Sequence, residues 1–330
     1  MNSEQKNSLE KVDLVYLWCD GRDPSFVKEK QMRLAELKLP YNEDNIGDKR
    51  YVEHDELRYS LRSAYENVPW INHIYIITDR QRPSWLKSHP KITIVDHREI
   101  IPHELLPTFS AIVIEMYIDK IPGLSEKFLL ANDDMFFARK LSTSDFFSDN
   151  GKPIVWLSPK QPMNDSLADS ILSSDRVDWH KTLVRAWALY KKHRELEIPF
   201  YTPAHCVDAY CKSIYSQILE EYPELKLKNS QPLRTGEEIT RILFSYEMIT
   251  TYGASFVLKK RNDFLSRVKA KFVKPVDYVA ISRESVKKIQ RDIRIFNPKT
   301  FCLNNIRATE VEDAKRLFNS LWPVPAPWEK

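Results

Sequence analysis

Glycine is scarce in this sequence, with only 6 glycines among 330 residues. Neither a G-x-G-x-x-G pattern nor a G-x-x-x-x-G-K-[ST] pattern occurs. Both patterns mark loops whose backbone amides bind phosphate groups. The sequence fingerprints of two common nucleotide-binding sites are therefore absent from this chain.

Cysteine is also rare, and long apolar runs are missing. The four cysteines, Cys19, Cys206, Cys211 and Cys302, are scattered and form no C-x-x-C pair. This favours free thiols in a reducing compartment over disulfides or a zinc site. No run of about 18 apolar residues occurs, and residues 1–11 contain no apolar signal core. We therefore expect a soluble cytoplasmic protein without a transmembrane helix.

Neither sign of charge dominates overall, since the formal net charge is only +4. The positive charge is concentrated between Lys259 and Arg294, where twelve Lys and Arg against four Asp and Glu give a net charge of +8. A solvated helical face is the commoner explanation of such a segment. The alternative is a contact surface for anionic lipid or for a lipid-linked pyrophosphate. Nucleic acid is not expected as a partner, because no nucleic-acid-binding motif accompanies the charge.

Short apolar runs alternate with helical patterns in the first half of the sequence. Strands are predicted over residues 12–18, 73–78, 92–95 and 127–131, and helices over residues 24–37, 55–67 and 112–121. This alternation predicts an α/β fold with a Rossmann-like, mostly parallel sheet flanked by helices. A hydrophobic content of 42% is enough to bury the core of such a fold.

The second half is richer in helical patterns. Helices are predicted over residues 177–195, 204–221 and 236–250, and a last helix follows a capping-box pattern at Thr309 and Glu312. No internal repeat, low-complexity tract or linker separates the two halves. We therefore expect the second half to pack on the first.

The most informative local feature is Asn132-Asp133-Asp134, directly after a predicted strand. In open α/β sheets, ligands bind outside the carboxyl ends of the strands. Two adjacent carboxylates there can hold a divalent cation on a diphosphate or accept a proton. Neighbouring side chains on extended backbone point opposite ways, so one Asp could face the ligand while the other anchors the loop. A helix cap or a turn explains the same residues equally well.

Three further features could carry chemistry, and each also has an ordinary structural explanation. The loop of residues 18–23, with the sequence Trp-Cys-Asp-Gly-Arg-Asp, could hold a base and a ribose or could be a simple turn. His205, at a predicted helix start, could be a general base, although a lone histidine is more often structural. Arg234 could bind a phosphate in bidentate fashion, although most arginines form surface pairs.

Taken in order along the chain, these segments resemble the Stealth family. That family includes bacterial capsule and cell-wall polysaccharide phosphotransferases and the animal N-acetylglucosamine-1-phosphotransferase. Four blocks that span nearly the whole chain carry the resemblance. The blocks are residues 13–23 (DLVYLWCDGRD), residues 55–137 (from DELRYSLRS to NDDMFF), residues 202–246 (from TPAH to FSY), and residues 301–305 (FCLNN) with the later WPVP at 322–325.

The resemblance implies a sugar-1-phosphate transferase. An acceptor hydroxyl would attack the sugar-proximal phosphorus of a UDP-sugar, form a phosphodiester and release UMP. The acceptor is expected to be a surface polysaccharide or a lipid-linked oligosaccharide. One alternative is a GT-A-like glycosyltransferase, which would break the sugar–oxygen bond and release UDP. Another is a non-catalytic polysaccharide-binding protein that uses its aromatic residues as a sugar-stacking surface.

The resemblance also implies roles for individual residues. His205 is the first choice for the general base and Asp134 the second, while Arg234 neutralises phosphoryl charge. Asp133 and Asp134 hold a divalent cation, Mg²⁺ or Mn²⁺, or orient the acceptor, and no organic cofactor is expected. The donor site is expected to contain Trp18, Asp20, Gly21, Asp23, Arg58, Asn132, Asn304 and Asn305. On this basis residues 1–158 form the half that binds the nucleotide sugar, residues 159–330 complete the active site of one continuous domain, and the basic segment contacts the membrane.

Overall fold

The computed structural model describes residues 11–38, 46–158, 162–174, 178–195, 199–258, 286–303, 306 and 308–330. The strands in these ranges are β1 (Val12–Leu17), β2 (Ile74–Thr78), β3 (Ile92–Asp96), β4 (Lys127–Asn132), β5 (Met135–Phe137), β6 (Ile154–Leu157), β7 (Asp208–Cys211), β8 (Ser255–Leu258) and β9 (Thr300–Cys302). The helices are α1 (Pro24–Leu37), α2 (Glu56–Asn67), α3 (His97–Ile100), α4 (Ala111–Glu115), α5 (Asp165–Leu172), α6 (Asp178–His193), α7 (Lys212–Glu221), α8 (Pro223–Lys228), α9 (Ile242–Thr250), α10 (Val286–Phe296) and α11 (Val311–Leu321).

The central sheet has five strands in the order β3-β2-β1-β4-β7. The first four are parallel, and β7 pairs antiparallel with β4. Chain order runs outward in opposite directions from the boundary between β1 and β4, which makes this boundary the topological switch point of the sheet. The predicted α/β fold with a mostly parallel sheet is confirmed.

Strand β1 illustrates why the strands of this sheet have apolar sequences. All six of its residues are buried, with Leu14 and Tyr16 in one core and Val15 and Leu17 in the core on the opposite face. Parallel strands covered on both faces have such continuous apolar runs. Asp13 is the exception, and its carboxylate accepts hydrogen bonds from the side chain of Asn72 and the backbone amide of Ser125, both at 2.7 Å.

Helices from both halves of the chain cover the sheet. On one face, α2 buries Leu57, Leu61 and Ala64 against the core that contains Leu14. On the other face, helices of the second half contribute Trp187, Tyr215 and Phe244 to the core that contains Val15. The second half thus supplies both a strand and a helical layer to the central sheet.

The predicted helix over residues 204–221 is wrong in its first part. Residues 208–211 form strand β7, and only Lys212–Glu221 is helical. The side chains of Val207, Ala209 and Cys211 join one core while Tyr210 joins the other. This period of two, next to the open edge of β4, favours a strand. His205 therefore precedes a strand and does not begin a helix.

Three other predicted elements differ in their ends. The helix expected over 112–121 ends at Glu115 and is followed by a 3-10 turn, Ile118–Lys120. The helix expected from residue 236 begins at Ile242. The Glu238 carboxylate accepts hydrogen bonds from the backbone amides of Thr235 and Gly236, which holds this stretch as a loop. Helix α11 forms as expected, but no side chain caps its amino end, so the predicted capping box is wrong.

Smaller sheets extend this core, with β5 antiparallel to β9 and β6 parallel to β8. Helix α10 buries Ile289 and Ile293 in an aromatic cluster built around Phe136 and Phe301. Most of the basic segment, residues 259–285, lies outside the described residues. None of the described helices is both long and apolar enough to cross a membrane. All four cysteines are free thiols, as expected.

Candidate active site

The two sequence motifs that end β1 and β4 meet at the switch point of the sheet. Leu17 and Asn132 are register partners, so the chain leaves both strands at the same level. Trp18 and the residues after it therefore lie beside the turn of Asp133 and Asp134. Parallel α/β sheets bind their ligands at this kind of position.

Four carboxylates surround this point. Burial raises the pKa of Asp133 well above its usual range, and the charges of Asp134, Glu56 and Glu53 raise it further. Burial likewise raises the pKa of Glu53 to about 7 and that of Glu56 to about 8. Repulsion among these four carboxylates favours the binding of a cation or of a proton.

Glu53 and Glu56 were missed by the sequence reasoning. Glu56 belongs to the Asp55-Glu56-Leu57-Arg58 run of the second family block, which was the available signal. It also begins helix α2, where an acidic residue needs no functional explanation. Glu53 lies outside every quoted motif.

His205 from the second half lies near enough to Asp134 from the first for its charge to act on that carboxyl group. Burial raises the pKa of Asp134, and the charge of His205 acts in the opposite direction. The thiol of Cys302 donates a hydrogen bond to the Asp134 carboxylate. Oδ1 of Asp134 has no hydrogen-bond partner among the described residues. The structure thus brings the two candidates for the general base together.

The loop after β1 is rigidly held. The side-chain amide of Gln81 donates to the carbonyl of Asp20 and accepts from its backbone amide, both at 2.9 Å. Gly21 lies against the backbone of Tyr51, and a Cβ there would stand 2.4 Å from the Tyr51 carbonyl oxygen. Glycine is required at this position because the backbone segments approach so closely.

The two ends of the loop have clear structural roles. Asp23 caps α1 by accepting from the backbone amides of Ser25 and Phe26. Trp18 is buried in the core, and its Nε1 has no hydrogen-bond partner among the described residues. An indole N–H in this state is able to donate to a ligand that enters the loop.

Arg234 reaches the same end of the sheet through its neighbours. Leu233 is fully buried with Phe26, Tyr51 and Phe109, and the Pro232 carbonyl accepts from the backbone amide of Phe109 at 2.7 Å. Burial raises the pKa of Tyr51 to about 12, against the opposing charge of Arg234. Arg234 therefore adds a positive charge on the β1 side of the carboxylates.

The remaining predicted donor residues are Arg58, Asn132, Asn304 and Asn305. The Nε of Arg58 lies 2.5 Å from Oε2 of Glu329, and the guanidinium lies 5.9 Å from the Trp85 ring centroid. Asn132 ends β4 and is half-buried. Asn304 and Asn305 lie outside the described residues.

The carboxylates fit a divalent cation that arrives with its ligand. Within the described residues, no group of three or more His, Cys, Asp and Glu side chains could hold a metal ion by itself. Mg²⁺ is usually bound through one or two carboxylates together with water and substrate phosphates. Asp133 and Asp134 can supply such carboxylates, and a cation would relieve the repulsion from Glu53 and Glu56.

Fold and site together define an α/β protein with an acidic cluster at the switch point of its sheet, near a histidine and an arginine from the second half. Residues 50–155 match conserved region 2 of the Stealth proteins. The chain therefore carries a conserved region of the Stealth proteins. The matched region contains α2, β2–β5 and the Asn132-Asp133-Asp134 motif, whereas the loop after β1 precedes it.

Relatives of known name agree with this match. The chain is 30% identical to an exopolysaccharide phosphotransferase of Streptomyces coelicolor, over 97% of this chain and 52% of that protein. It is 32% identical to an exopolysaccharide phosphotransferase of Mycobacterium leprae, over 97% of this chain and 57% of that protein. A capsular polysaccharide phosphotransferase of Actinobacillus pleuropneumoniae is 42% identical over 47% of this chain and 44% of its own length. The chain thus spans about half the length of these relatives.

Solved structures resemble the chain only distantly. The inositol-1-phosphate CTP transferase of T. maritima aligns over 96% of this chain and 98% of its own, with a TM-score of 0.40 and 11% identity. The galactosyltransferase LgtC aligns over the same shares, with a TM-score of 0.37 and 9% identity. No functional conclusion follows from likenesses this distant.

Proposed function

We propose that the protein transfers hexose-1-phosphate from a UDP-sugar to a hydroxyl of a surface polysaccharide, forming a phosphodiester and releasing UMP. The observation that carries this proposal is the clustering of Asp133 and Asp134 at the switch point, where the charge of His205 acts on Asp134. Relatives named exopolysaccharide and capsular polysaccharide phosphotransferases support the same reaction class.

The donor is proposed to lie across the carboxyl ends of β1 and β4. The loop of Trp18, Asp20 and Gly21 would contact the uridine, and Arg234 would pair with the phosphoryl oxygens. A divalent cation held by Asp133 and Asp134 would neutralise diphosphate charge. These groups leave the sugar-proximal phosphorus facing the second half of the chain.

The acceptor hydroxyl is proposed to approach from the side of His205. Its oxygen forms a bond to the sugar-proximal phosphorus, the bond from that phosphorus to the UMP oxygen breaks, and the imidazole takes the hydroxyl proton. Asp134 would hold the histidine in position or take the proton itself. Positioning and charge neutralisation supply most of the catalysis in phosphoryl transfer.

The bond that breaks can be tested directly. UDP-glucose and UDP-N-acetylglucosamine carrying ³²P in the sugar-proximal phosphate would be incubated with oligosaccharides cut from the surface polysaccharide of the producing bacterium. Phosphoryl transfer places the label in the oligosaccharide and releases unlabelled UMP. Label recovered in UDP, with an unlabelled glycosidic product, would instead assign the protein to the GT-A-like glycosyltransferases.

The cation and the site of action complete the proposal. We expect EDTA to abolish transfer and Mg²⁺ or Mn²⁺ to restore it in the wild type, while Asp133→Asn stays inactive at every cation concentration. A lipid-linked acceptor would place the reaction at the cytoplasmic face of the membrane, where the basic segment between Lys259 and Arg294 could contact anionic lipid. Full activity in EDTA would remove the cation from the proposal.

A further inference from the structure

The side chain of Gln81 is bonded to the nucleotide loop (residues 18–23), and the proposed reaction gives it no role. Its Oε1 accepts from the backbone amide of Asp20, and its Nε2 donates to the carbonyl of the same residue, both at 2.9 Å. The Asp20 carbonyl also accepts from the backbone amide of Asp23 at 3.1 Å, so both of its lone pairs are used. One side chain therefore binds both backbone groups of a residue in the middle of this loop.

The Gln81 amide lies where strand β2 stops pairing with β1. The register between these strands ends at Leu17 and Ile77, and the backbone amide of Trp18 donates to the carbonyl of Ile77 at 3.0 Å. Two residues further along, Asp20 pairs with the side chain of Gln81. A primary amide offers a donor and an acceptor, as a peptide unit does. The amide thus replaces the backbone partner that β2 no longer supplies.

Gln81 is itself fixed by the residue before it. Arg80 has a φ of 53°, a left-handed backbone conformation that is unfavourable for any residue with a Cβ. Its backbone amide donates to Asp96 at 3.0 Å, and its guanidinium donates to Asp79 at 2.9 Å and to Glu29. These acids follow β2, end β3 and belong to α1. Rigid elements therefore fix the point from which Gln81 reaches the loop.

The nucleotide loop thus has a satisfied backbone and a free side-chain donor. Next to Asp20, the backbone amide of Gly21 donates to the carbonyl of Tyr51 at 2.8 Å. The Nε1 of Trp18, in contrast, has no hydrogen-bond partner among the described residues. A loop that is already ordered, with polar groups left for a ligand, is a preorganised binding element.

We propose that Gln81 is a positioning residue for the donor, which holds the nucleotide loop in its binding conformation before the UDP-sugar arrives. The inference rests on the proposed function, which assigns this loop to the uridine. A loop that must be ordered during binding lowers the affinity for its ligand. If the binding conformation makes up about a tenth of the free protein, the apparent Kd rises roughly tenfold. Gln81 therefore acts on donor affinity and not on the phosphoryl transfer step.

Two substitutions remove this hold in different ways. Methionine has the length of glutamine but lacks the amide, whereas glutamate accepts from the Asp20 amide and cannot donate to the Asp20 carbonyl. Isothermal titration with UDP and Mg²⁺ should show a Kd raised roughly tenfold in Gln81→Met and in Gln81→Glu. Gln217→Met, at an exposed glutamine of α7, is the matched control and should bind UDP like the wild type.

Kinetics and hydrogen–deuterium exchange separate positioning from a general loss of structure. The KM for the UDP-sugar should rise roughly tenfold in Gln81→Met, while kcat and the KM for the acceptor stay near their wild-type values. Exchange should become faster in residues 18–23 of both Gln81 variants and stay unchanged in β1 and β4. A change confined to the loop and to donor affinity is the result expected of a positioning residue.

Each other result has a defined meaning. Folded Gln81→Met and Gln81→Glu proteins that bind UDP as tightly as the wild type would overturn the inference, while release of UMP by the wild type would still support the proposed function. A fall in kcat with unchanged donor KM would overturn it as well. Release of UDP by the wild type, with weak donor binding by Gln81→Met, would overturn only the reaction class. A wild type that binds no UDP would overturn both, because the loop would then have no nucleotide to contact.

Discussion

At the scale of single residues, the proximity of His205 to Asp134 is the most informative feature of the site. Both can accept a proton, and Asp134 is buried enough for its pKa to rise. A carboxyl group and an imidazole are both candidates for the same role. Mutation of the histidine decides between them.

We expect His205→Gln to reduce turnover by about 10²–10⁴-fold, the usual effect of losing a general base. Glutamine keeps a hydrogen bond but does not accept a proton near neutral pH. The KM for the UDP-sugar should stay near its wild-type value, because the base acts in the chemical step. Steady-state kinetics of UMP release, with circular dichroism as a check on folding, measures both quantities.

Two variants serve as comparisons for His205→Gln. His103→Gln alters an exposed histidine away from the site and should leave turnover unchanged. Arg234→Ala should weaken donor binding as well as turnover, because its charge acts in both the ground state and the transition state. Near-normal turnover by a folded His205→Gln enzyme would transfer the role of base to Asp134.

The sequence identifies part of this site, but it does not show that these residues lie close together in the fold. Asp133, Asp134, His205 and Arg234 stand in motifs that resemble a known family, so they could be named in advance. Glu53 could not, because a single acidic residue in a polar loop carries no local signal. The charge of Glu53 adds to that of Asp133 because the fold brings the two residues close together. Their spacing along the chain does not reveal this proximity.

At the scale of elements, continuous apolar runs predicted the strands reliably, whereas segments that mix apolar and polar residues did not. Strands β1, β2 and β4 were predicted closely because they are buried on both faces, which leaves no other pattern for their sequences. Strand β7 was missed because its four residues lead directly into α7 without a turn signal. Its structure depends on the free edge of β4, which is a long-range partner that propensity cannot show.

Helix α2, which carries Glu56, is held to the last residues of the chain by a buried ion-pair cluster. The Glu329 side chain is fully buried and accepts from Arg62 at 2.6 and 2.8 Å and from Arg58 at 2.5 Å. We expect Glu329→Gln to lower the free energy of unfolding by about 3 kcal/mol, because two guanidinium groups lose their counter-charge. Urea denaturation measures this change.

An exposed acid provides the control for Glu329. Glu36 lies 2.8 Å from Arg33 on the surface of α1, and Glu36→Gln should change the free energy of unfolding by less than about 0.5 kcal/mol. If the two variants had equally small effects, the cluster would not hold α2 in place.

Helix α3 begins with a buried histidine that responds to acid. Burial lowers the pKa of His97 to about 4, although the carboxylates of Asp79 and Asp96 oppose this shift and Arg80 reinforces it. Neither ring nitrogen has a hydrogen-bond partner among the described residues. The folded state therefore favours the neutral ring. Its contribution to stability is complete above the ordinary pKa of about 6.5 and is lost as the pH falls through about 4.

We expect His97→Gln to flatten the loss of stability between pH 6.5 and pH 4 by about 3 kcal/mol. The wild-type protein should lose this stability because protonation of His97 is easier in the unfolded chain. Urea denaturation at a series of pH values gives the slope, with the exposed His103→Gln variant as reference. Parallel slopes for all three proteins would show that His97 does not titrate in this range.

At the scale of the whole molecule, the basic segment suggests contact with a membrane surface. Its described part, α10, already buries Ile289 and Ile293 inside the protein. The apolar face of this helix is therefore occupied, and any attraction to lipid should be electrostatic. Such attraction weakens strongly with salt.

We expect the protein to bind vesicles of equimolar phosphatidylglycerol and phosphatidylcholine, and to dissociate from them at about 0.5 M salt. Lys287→Glu with Lys288→Glu should weaken binding at least roughly tenfold, because each basic residue contributes about 1 kcal/mol. Vesicle sedimentation measures the bound fraction. Lys28→Glu with Lys228→Glu, two exposed lysines outside the segment, is the control with equal net charge. Equal loss in both double variants would show that only the overall charge matters.

The antiparallel strand β7 has a consequence for how the protein is made. The ribosome releases β1 to β4 well before residues 208–211, so the outer edge of β4 stays bare on the nascent chain. Bare strand edges pair readily with other chains and lead to aggregation. During synthesis the emerging first half therefore needs either a chaperone or rapid arrival of β7. His205 and Arg234 join Asp133 and Asp134 only after that interval, so a half-made chain carries the acidic turn without the groups that complete it.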